Sequence, residues 1–399
     1  MKHRRIILTS IFGVLLPAAL HAAESRTWTD QQQRKIEAKM LGLQGDSVLL
    51  ELKDGRKIPF PLAKLSPEDA AFARSQKDPT PPAAAVTTAP AGPKFDAPWP
   101  DRIKFSEDPE IATIEENAAS KSFIYESASY RYTSDVRLSK SLIKGFAVMF
   151  EATSLFCRTV PLGMDGGQED DGKLPIRLFE TETDYYGAGA PSGSAGVFVT
   201  RNGKSEVLVP LTSLGVRKVG KGYMIDRDKS SKTLPHELTH QLTPSPYFET
   251  GGMGWFTEGI AEYIATTPYR AGSYSVRNNL DEIINYVTGY GEENMGGRAL
   301  GKKIQLPDLR TFMLQDYRSF LNDPQRNYGS ALLITTYFLQ MDGQGDASRV
   351  KKFLKALREK TTGEAALEVL FDGRSATQVQ LEISKAWDRK GVKITFGTS

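Results

Sequence analysis

The sequence is poor in residues for redox and metal chemistry, because only one of its 399 residues is cysteine and four are histidine. A single cysteine, Cys157, excludes an internal disulfide, and its apolar neighbours favour a buried side chain over a nucleophile. An excess of one charge is also missing, since 51 basic residues stand against 48 acidic ones. We therefore expect neither a nucleic-acid partner nor binding to an anionic membrane surface.

Long apolar runs are missing as well, and the first one, residues 6–16, is too short to cross a bilayer. Basic residues at Lys2, Arg4 and Arg5 precede this run, and small residues follow it as far as Ala23. That order predicts a signal peptide over residues 1–23. We expect an exported protein, periplasmic or extracellular, with no integral membrane segment after signal removal.

Residues 26–76 have the pattern of a small β module. Two apolar segments flank Asp54-Gly55, which is a strong hairpin signal. Ser66 before Pro67 is the expected N-cap of a short helix. Short strands with one terminal helix over about 50 residues predict a small barrel.

The sequences RTWTD (26–30) and LLELKDGRKIPFPLAKLSPEDAAF (49–72) resemble the first homology domain of an endocytic actin-patch adaptor. The resemblance implies an SH3-like module, from which we infer a small unit for binding a protein partner or for spacing. Residues 77–100 are rich in Pro, Ala and Thr, so this segment is predicted to be an extended linker.

Residues 101–399 change from strand patterns to helical patterns along the chain. Residues 174–214 contain two strand-like stretches, with Asn202-Gly203 as a hairpin turn. From residue 233 onward apolar residues recur mostly at helical spacing. Strands followed by helices predict an α+β domain.

The stretch TLPHELTHQLTP (233–244) contains the two histidines that lie outside the predicted signal peptide. On a helix His236 and His240 share one face, so two imidazoles could hold one divalent ion. Glu237 lies beside that face and could act as a base on water. A solvated polar helix is the alternative, and the scarcity of histidine argues against it.

A catalytic zinc ion needs a third protein ligand, with water in the fourth position. The segment GWFTEGIAEYIATTP (254–268) offers Glu258 and Glu262 one helical turn apart. One of these carboxylates can complete a His-His-Glu set. The other can hydrogen-bond the far nitrogen of a ligand imidazole and fix its tautomer.

The motif H-E-x-x-H, followed by WFTEGIAEY, resembles the gluzincin metallopeptidases, which include thermolysin, zinc aminopeptidases and peptidase MA-like domains. The resemblance implies a mixed sheet with an edge strand, followed by a mostly helical half. It implies Zn²⁺ ligands at His236, His240 and Glu258, with Glu237 as general base and then general acid. Glu262 matches the acidic residue that orients the first histidine, a position that is Asp in thermolysin.

The same resemblance assigns an oxyanion-stabilising hydroxyl to Tyr328 in NYGSALLITTYFL. An ordinary packing role for Tyr328 is the alternative, with Tyr247, Tyr263 and Tyr269 as competing tyrosines. Strand AGVFVTRNG (195–203) could hydrogen-bond an extended substrate, or could be a core strand. The aminopeptidase motif G-x-M-E-N is absent before the zinc helix, which favours an endopeptidase.

These observations predict an exported zinc metallopeptidase that acts on peptide or protein substrates. Two other functions stay open. The domain could hold zinc without cleaving, as an envelope scaffold or adaptor, although a base at Glu237 would then have no use. It could also hydrolyse a non-peptide amide.

Overall fold

The computed structural model describes residues 25–44, 47–53, 56–75, 94–105, 108–167, 172–201, 203–220, 222–226, 233–277, 279–289 and 297–397. The chain divides into two compact units, residues 1–90 and 91–399. The predicted signal peptide lies outside the described residues, as do most of the predicted linker and the turn residues Asp54, Gly55 and Asn202.

The first unit contains one sheet and one helix. Its strands are β1 Arg26–Thr29, β2 Lys35–Gln44, β3 Ser47–Leu52 and β4 Lys57–Pro61, and its helix is α1 Pro67–Ser75. The strands form an antiparallel sheet in sequence order. The predicted N-cap is confirmed, because Ser66 Oγ accepts the Asp69 N–H at 3.2 Å.

The predicted closed barrel is wrong for the described part of this unit, since β1 and β4 lie at opposite ends of an open sheet. After β4 the chain forms a 3-10 turn, Leu62–Lys64, and a single bridge between Asp30 and Leu65 joins it to the end of β1, so no further strand closes the sheet before α1. Asp69 of α1 then binds β1, accepting the Thr29 N–H at 2.7 Å and the Arg26 guanidinium at 2.5 Å. Trp28, Val48 and Leu50 fill the core of this unit.

The second unit is a mixed α+β domain, as predicted. Its strands are β5 Arg102–Lys104, β6 Ala112–Asn117, β7 Ser122–Glu126, β8 Tyr130–Ser134, β9 Leu174–Phe179, β10 Val197–Arg201, β11 Lys204–Pro210, β12 Val216–Val219, β13 Gly222–Ile225, β14 Tyr269–Arg270, β15 Ser273–Ser275, β16 Lys303–Leu306 and β17 Lys393–Phe396. Its helices are α2 Lys140–Thr159, α3 Glu182–Gly187, α4 Thr233–Leu242, α5 Trp255–Thr266, α6 Leu280–Thr288, α7 Leu309–Leu314, α8 Tyr317–Phe320, α9 Pro324–Gln340, α10 Ser348–Arg358, α11 Gly363–Phe371 and α12 Ala376–Asp388.

A six-stranded open sheet carries the first half of this unit, in the order β10-β11-β9-β8-β7-β6. Strands β8, β9 and β11 are parallel, whereas β10 is an antiparallel strand at one end. Helix α2 packs on one face, with Phe146 and Phe150 each 5.6 Å from the Tyr132 ring. The predicted β10–β11 hairpin is confirmed by the pairing of Arg201 with Lys204.

Helices α5 and α9 approach each other closely because a glycine lies between them. A Cβ on Gly259 would come within 2.5 Å of the Ala331 carbonyl oxygen and 2.1 Å of Thr335 Oγ1. Gly259 follows Glu258 directly, and α9 carries Tyr328. This packing therefore brings the candidate third ligand and the candidate oxyanion tyrosine to one place.

Three further features bear on the sequence predictions. Phe95 is 5% exposed and belongs to the main core, so the last residues of the predicted linker are part of the second unit. Cys157 is a buried free thiol, as expected from its neighbours. No helix in the described ranges is both long enough and apolar enough to cross a membrane.

Candidate metal centre

Helix α4 presents both histidines to one point. The Nε2 atoms of His236 and His240 lie 3.0 Å apart, and both side chains are buried. The four-residue spacing on a helix accounts for this convergence. Pro244, two residues beyond the last residue of α4, comes at the position where the sequence predicts that the helix stops.

Helix α5 adds the third donor. Glu258 Oε2 lies 3.1 Å from His240 Nε2 and 3.2 Å from His236 Nε2. The side chain is only 3% exposed, so the carboxylate is removed from water. These three residues form a buried group that could hold a metal ion, because all their ligand atoms lie within 4.8 Å of one another.

The donor geometry suits a small divalent cation. Ligand atoms of a tetrahedral zinc site with bonds of about 2.0–2.1 Å are separated by roughly 3.3 Å, close to the three distances above. His236 Nδ1 lies 3.0 Å from Glu262 Oε1 and donates to it. In the neutral ring the Nε2 lone pair then faces a carboxylate oxygen of Glu258, and only a proton or a metal cation relieves that repulsion.

The charges of the site follow the same logic. Burial alone would lower the pKa of His236, but hydrogen bonds to Glu258 and Glu262 raise it to about 10. Burial opposes ionisation of Glu258, yet His240 and His236 hold its pKa well below the usual range. Burial alone would also raise the pKa of Glu262, but His236 and Arg298 lower it to about 2. The site therefore concentrates negative charge around two imidazoles.

Glu237 lies beside the metal group and contacts the sheet. Its Oε2 accepts the backbone N–H of Phe198 in β10 at 2.9 Å. Burial raises the pKa of this carboxyl, and the charges of His236 and His240 partly oppose the rise. A carboxylate with a raised pKa is a better proton acceptor near neutral pH than an ordinary one.

Arg298 anchors the carboxylate that supports His236. Its Nε donates to Glu262 Oε2 at 3.1 Å and its Nη2 to Glu262 Oε1 at 2.7 Å. This two-point contact fixes the plane of the Glu262 carboxylate. The far nitrogen of His236 is thus tied through Glu262 to an arginine from the segment that follows α6.

Two tyrosines lie at the metal group. The Tyr317 hydroxyl donates to Glu258 Oε1 at 3.0 Å, the oxygen that does not face the histidines. The Tyr328 hydroxyl lies 3.5 Å from that of Tyr317, and its ring lies 5.9 Å from the His236 ring. Burial, followed by the charge of Glu258, raises the pKa of Tyr328 far above its usual range, so its hydroxyl remains a neutral donor.

The competing tyrosines have other partners. The Tyr247 hydroxyl donates to the Leu162 carbonyl at 2.8 Å, and Tyr263 accepts from Gln340 Nε2 at 2.6 Å. The Tyr269 ring packs against the Tyr274 ring at an angle of 50°, with ring centroids 4.9 Å apart. Of the four candidates named from the sequence, Tyr328 is the one whose ring lies against a histidine of the metal group.

Sequence reasoning missed Arg298, Tyr317 and the Phe198 amide. No spacing rule connects these residues to the H-E-x-x-H stretch, because each comes from a separate segment of the chain. Strand β10 itself was a candidate for substrate binding, but its contact with Glu237 depends on the packing of α4 on the sheet edge.

Comparison with known proteins bears on the first unit. A family model described as SLA1 homology domain 1 (SHD1) matches residues 19–79. The match agrees with the resemblance noted for residues 26–76. No curated protein matches the chain. Because the matched segment ends before the second unit, the gluzincin resemblance rests on the residues of the metal group alone.

Proposed function

We propose that this chain is an exported, zinc-dependent peptidase of the gluzincin type, and that it acts as an endopeptidase. The observation that carries the proposal is the convergence of His236, His240 and Glu258 at mutual distances of 3.0–3.2 Å, with Glu237 beside them. Zinc bound by this triad would supply Lewis acidity, which lowers the pKa of water and polarises a carbonyl group.

Glu237 has the position and the pKa of a general base. It accepts a proton from the attacking water and later donates it to the leaving amine. Its raised pKa makes the carboxylate a better proton acceptor than an ordinary glutamate. The Phe198 N–H holds one of its oxygens, and in this proposal the other oxygen takes the proton of the attacking water.

Strand β10 supports a peptide as the substrate. Among the described strands it pairs only with β11, and on its other side the Phe198 N–H is taken by Glu237, which leaves the carbonyl groups of that side to accept from a peptide. The carbonyl of the same residue points to the same side. An extended peptide could add to this edge by main-chain hydrogen bonds, which do not depend on its side chains. The scissile bond would then lie between β10 and the triad.

Tyr328 is the proposed donor to the oxyanion. Its hydroxyl is neutral and lies at the metal group, so it can stabilise negative charge that develops on the carbonyl oxygen. Tyr317 has a different task in this proposal, because its hydroxyl already donates to Glu258. It holds the ligand carboxylate in the orientation that directs one oxygen to the histidines.

The first unit is proposed to bind a protein partner and to bring the peptidase to it. The match to an SLA1 homology domain 1 model supports this role. Export rests on the order of charged, apolar and small residues in the first 23 residues. In this proposal, neither the partner nor the substrate needs to be membrane-embedded.

A peptide-library cleavage assay tests the proposal. Protein stripped with a chelator and reloaded with zinc is incubated with peptides of diverse sequence, and new termini are identified by mass spectrometry. We expect internal cuts that require zinc and that Glu237→Gln makes at least about 100-fold more slowly. Zinc binding without cleavage of any peptide would favour the non-cleaving scaffold. Activity confined to non-peptide amides would favour the other alternative.

A further inference from the structure

Arg298 contacts two parts of the site at once. Its guanidinium binds both oxygens of Glu262, at 3.1 and 2.7 Å, and also lies over the Tyr328 ring, 4.6 Å from the centroid. Glu262 in turn accepts from His236. The arginine therefore connects the support of a candidate ligand to the candidate oxyanion donor.

The backbone of Arg298 is itself held in place. Its N–H donates to the Tyr286 carbonyl at 2.7 Å, and its carbonyl accepts from Gln325 Nε2 at 2.6 Å. The first contact comes from α6 and the second from α9. Because α9 also carries Tyr328, the arginine is fixed relative to the tyrosine over which it lies.

The chemistry of the contact requires arginine. A buried carboxylate such as Glu262 is costly unless it is paired and hydrogen-bonded. A guanidinium satisfies both oxygens in one plane and can stack on an aromatic ring with its face, whereas an ammonium offers a single point of charge. Lysine could neutralise Glu262, but it could not fix the carboxylate plane and the Tyr328 ring together.

We propose that Arg298 is a positioning residue that sets His236 for the metal, through Glu262, and sets Tyr328 for the substrate. The inference rests on the proposed function for its second half only. The first half concerns metal binding and does not depend on any cleaved substrate. Removing Arg298 should therefore weaken zinc binding and lower kcat. A general loss of packing would change both together, whereas the proposal allows them to be separated.

The experiment compares Arg298→Met, Arg298→Lys and the control Arg326→Met in the full chain. Arg326 lies on α9, its side chain is 56% exposed, and it pairs with Asp323 on the surface. Zinc affinity is measured by competition with a chromogenic chelator. The melting temperature of the metal-free protein reports on folding, and kcat and KM are measured on a peptide cleaved by the parent.

We expect Arg298→Met to weaken zinc binding about 10- to 100-fold, the usual effect of losing a residue that orients a ligand. Arg298→Lys should recover most of the zinc affinity and keep a kcat at least about tenfold below the parent, because Tyr328 loses its stacking partner. Arg326→Met should match the parent in both properties. In Arg298→Met combined with Glu262→Gln, zinc affinity should be close to that of Glu262→Gln alone.

Parent-like zinc affinity in folded Arg298→Met would overturn the proposal, and so would additive losses in the double variant. If Arg298→Met does not fold, Arg298→Lys decides, and a parent-like kcat in that variant overturns the role at Tyr328. Failure of the peptidase proposal has a different signature. The parent would then bind zinc and cleave nothing, while the zinc measurements would still test the link from Arg298 to His236.

Discussion

The metal group and the residues that surround it reach the same place by different routes. His236, His240 and Glu258 come from two consecutive helices, α4 and α5, so their approach is largely local. Phe198, Arg298, Tyr317 and Tyr328 come from β10, the segment after α6, α8 and α9. The difference separates two requirements of the proposed site. A donor set alone can hold an ion, whereas the orientation of the ligands and the catalytic step depend on residues that long-range packing brings to it. Each prediction below sharpens or breaks that separation.

The largest effect should come from two glutamates with different tasks, the base Glu237 and the ligand Glu258. Glu237→Gln keeps the shape of the side chain but removes its capacity to accept a proton, so turnover should fall at least about 100-fold while zinc binding is unchanged. Glu258→Gln should instead weaken zinc binding, because a neutral amide is a poorer ligand than a carboxylate. Paired zinc and cleavage assays check both variants. Equal cleavage by Glu237→Gln and the parent would remove the base from the mechanism.

A somewhat smaller effect is expected at Tyr328. Tyr328→Phe removes only the hydroxyl, and kcat should fall about 100-fold if it stabilises the oxyanion, with zinc affinity unchanged. The matched control is Tyr263→Phe, which removes a hydroxyl that binds Gln340 instead. An unchanged kcat in Tyr328→Phe, measured on the same peptide, would leave this tyrosine with a packing role.

Tyr317→Phe should have the opposite signature to Tyr328→Phe. The hydroxyl donates to Glu258 Oε1 at 3.0 Å, so its removal should weaken zinc binding, by about tenfold. Residual kcat at saturating zinc should stay close to the parent. If kcat fell and zinc affinity held, the roles of the two tyrosines would have to be exchanged.

The smallest predicted effect is the number of protons that are released when zinc binds. In the metal-free protein the pKa of His236 is raised from 6.5 to about 10, so the ring is protonated at about pH 8. The raised pKa contributes to the stability of the folded, metal-free protein. That contribution is fully present below pH 6.5 and is lost as the pH rises through about 10. Zinc needs the unprotonated Nε2, and binding at about pH 8 should release about one proton.

Calorimetry in two buffers of different ionisation enthalpy measures this release. The apparent enthalpies of zinc binding in the two buffers should differ by about the difference between the buffers' ionisation enthalpies, as expected for one released proton. Above about pH 10 the difference should shrink, because His236 has already lost its proton. Equal enthalpies at about pH 8 would mean that His236 is neutral before zinc arrives.

The local features of the site could be predicted from the sequence. A helical period of 3.6 residues brings His236 to His240. The mixed α+β class followed from the change of pattern near residue 233. The prediction of a closed barrel from short strands was wrong, because only one isolated bridge, Asp30 with Leu65, joins the end of β1 to the segment before α1, and Asp69 of α1 binds β1 beside it.

The surrounding residues could not be predicted in the same way. Arg298 meets Glu262 only because α6 and α9 hold its backbone, and Tyr317 meets Glu258 because α8 leads into α9. Neither contact has a fixed spacing in sequence. Long-range packing determines them, and only the assembled domain reveals it.

The central claim is that the chain holds one zinc ion on His236, His240 and Glu258. Elemental analysis of purified protein tests it most directly, with His240→Ala as the matched variant and Cys157→Ala as a control at a buried thiol that contacts Thr239 of α4 but is not one of the three ligands. We predict about one zinc per chain in the parent and in Cys157→Ala, and none in His240→Ala. Stoichiometric zinc retained by folded His240→Ala would contradict the account.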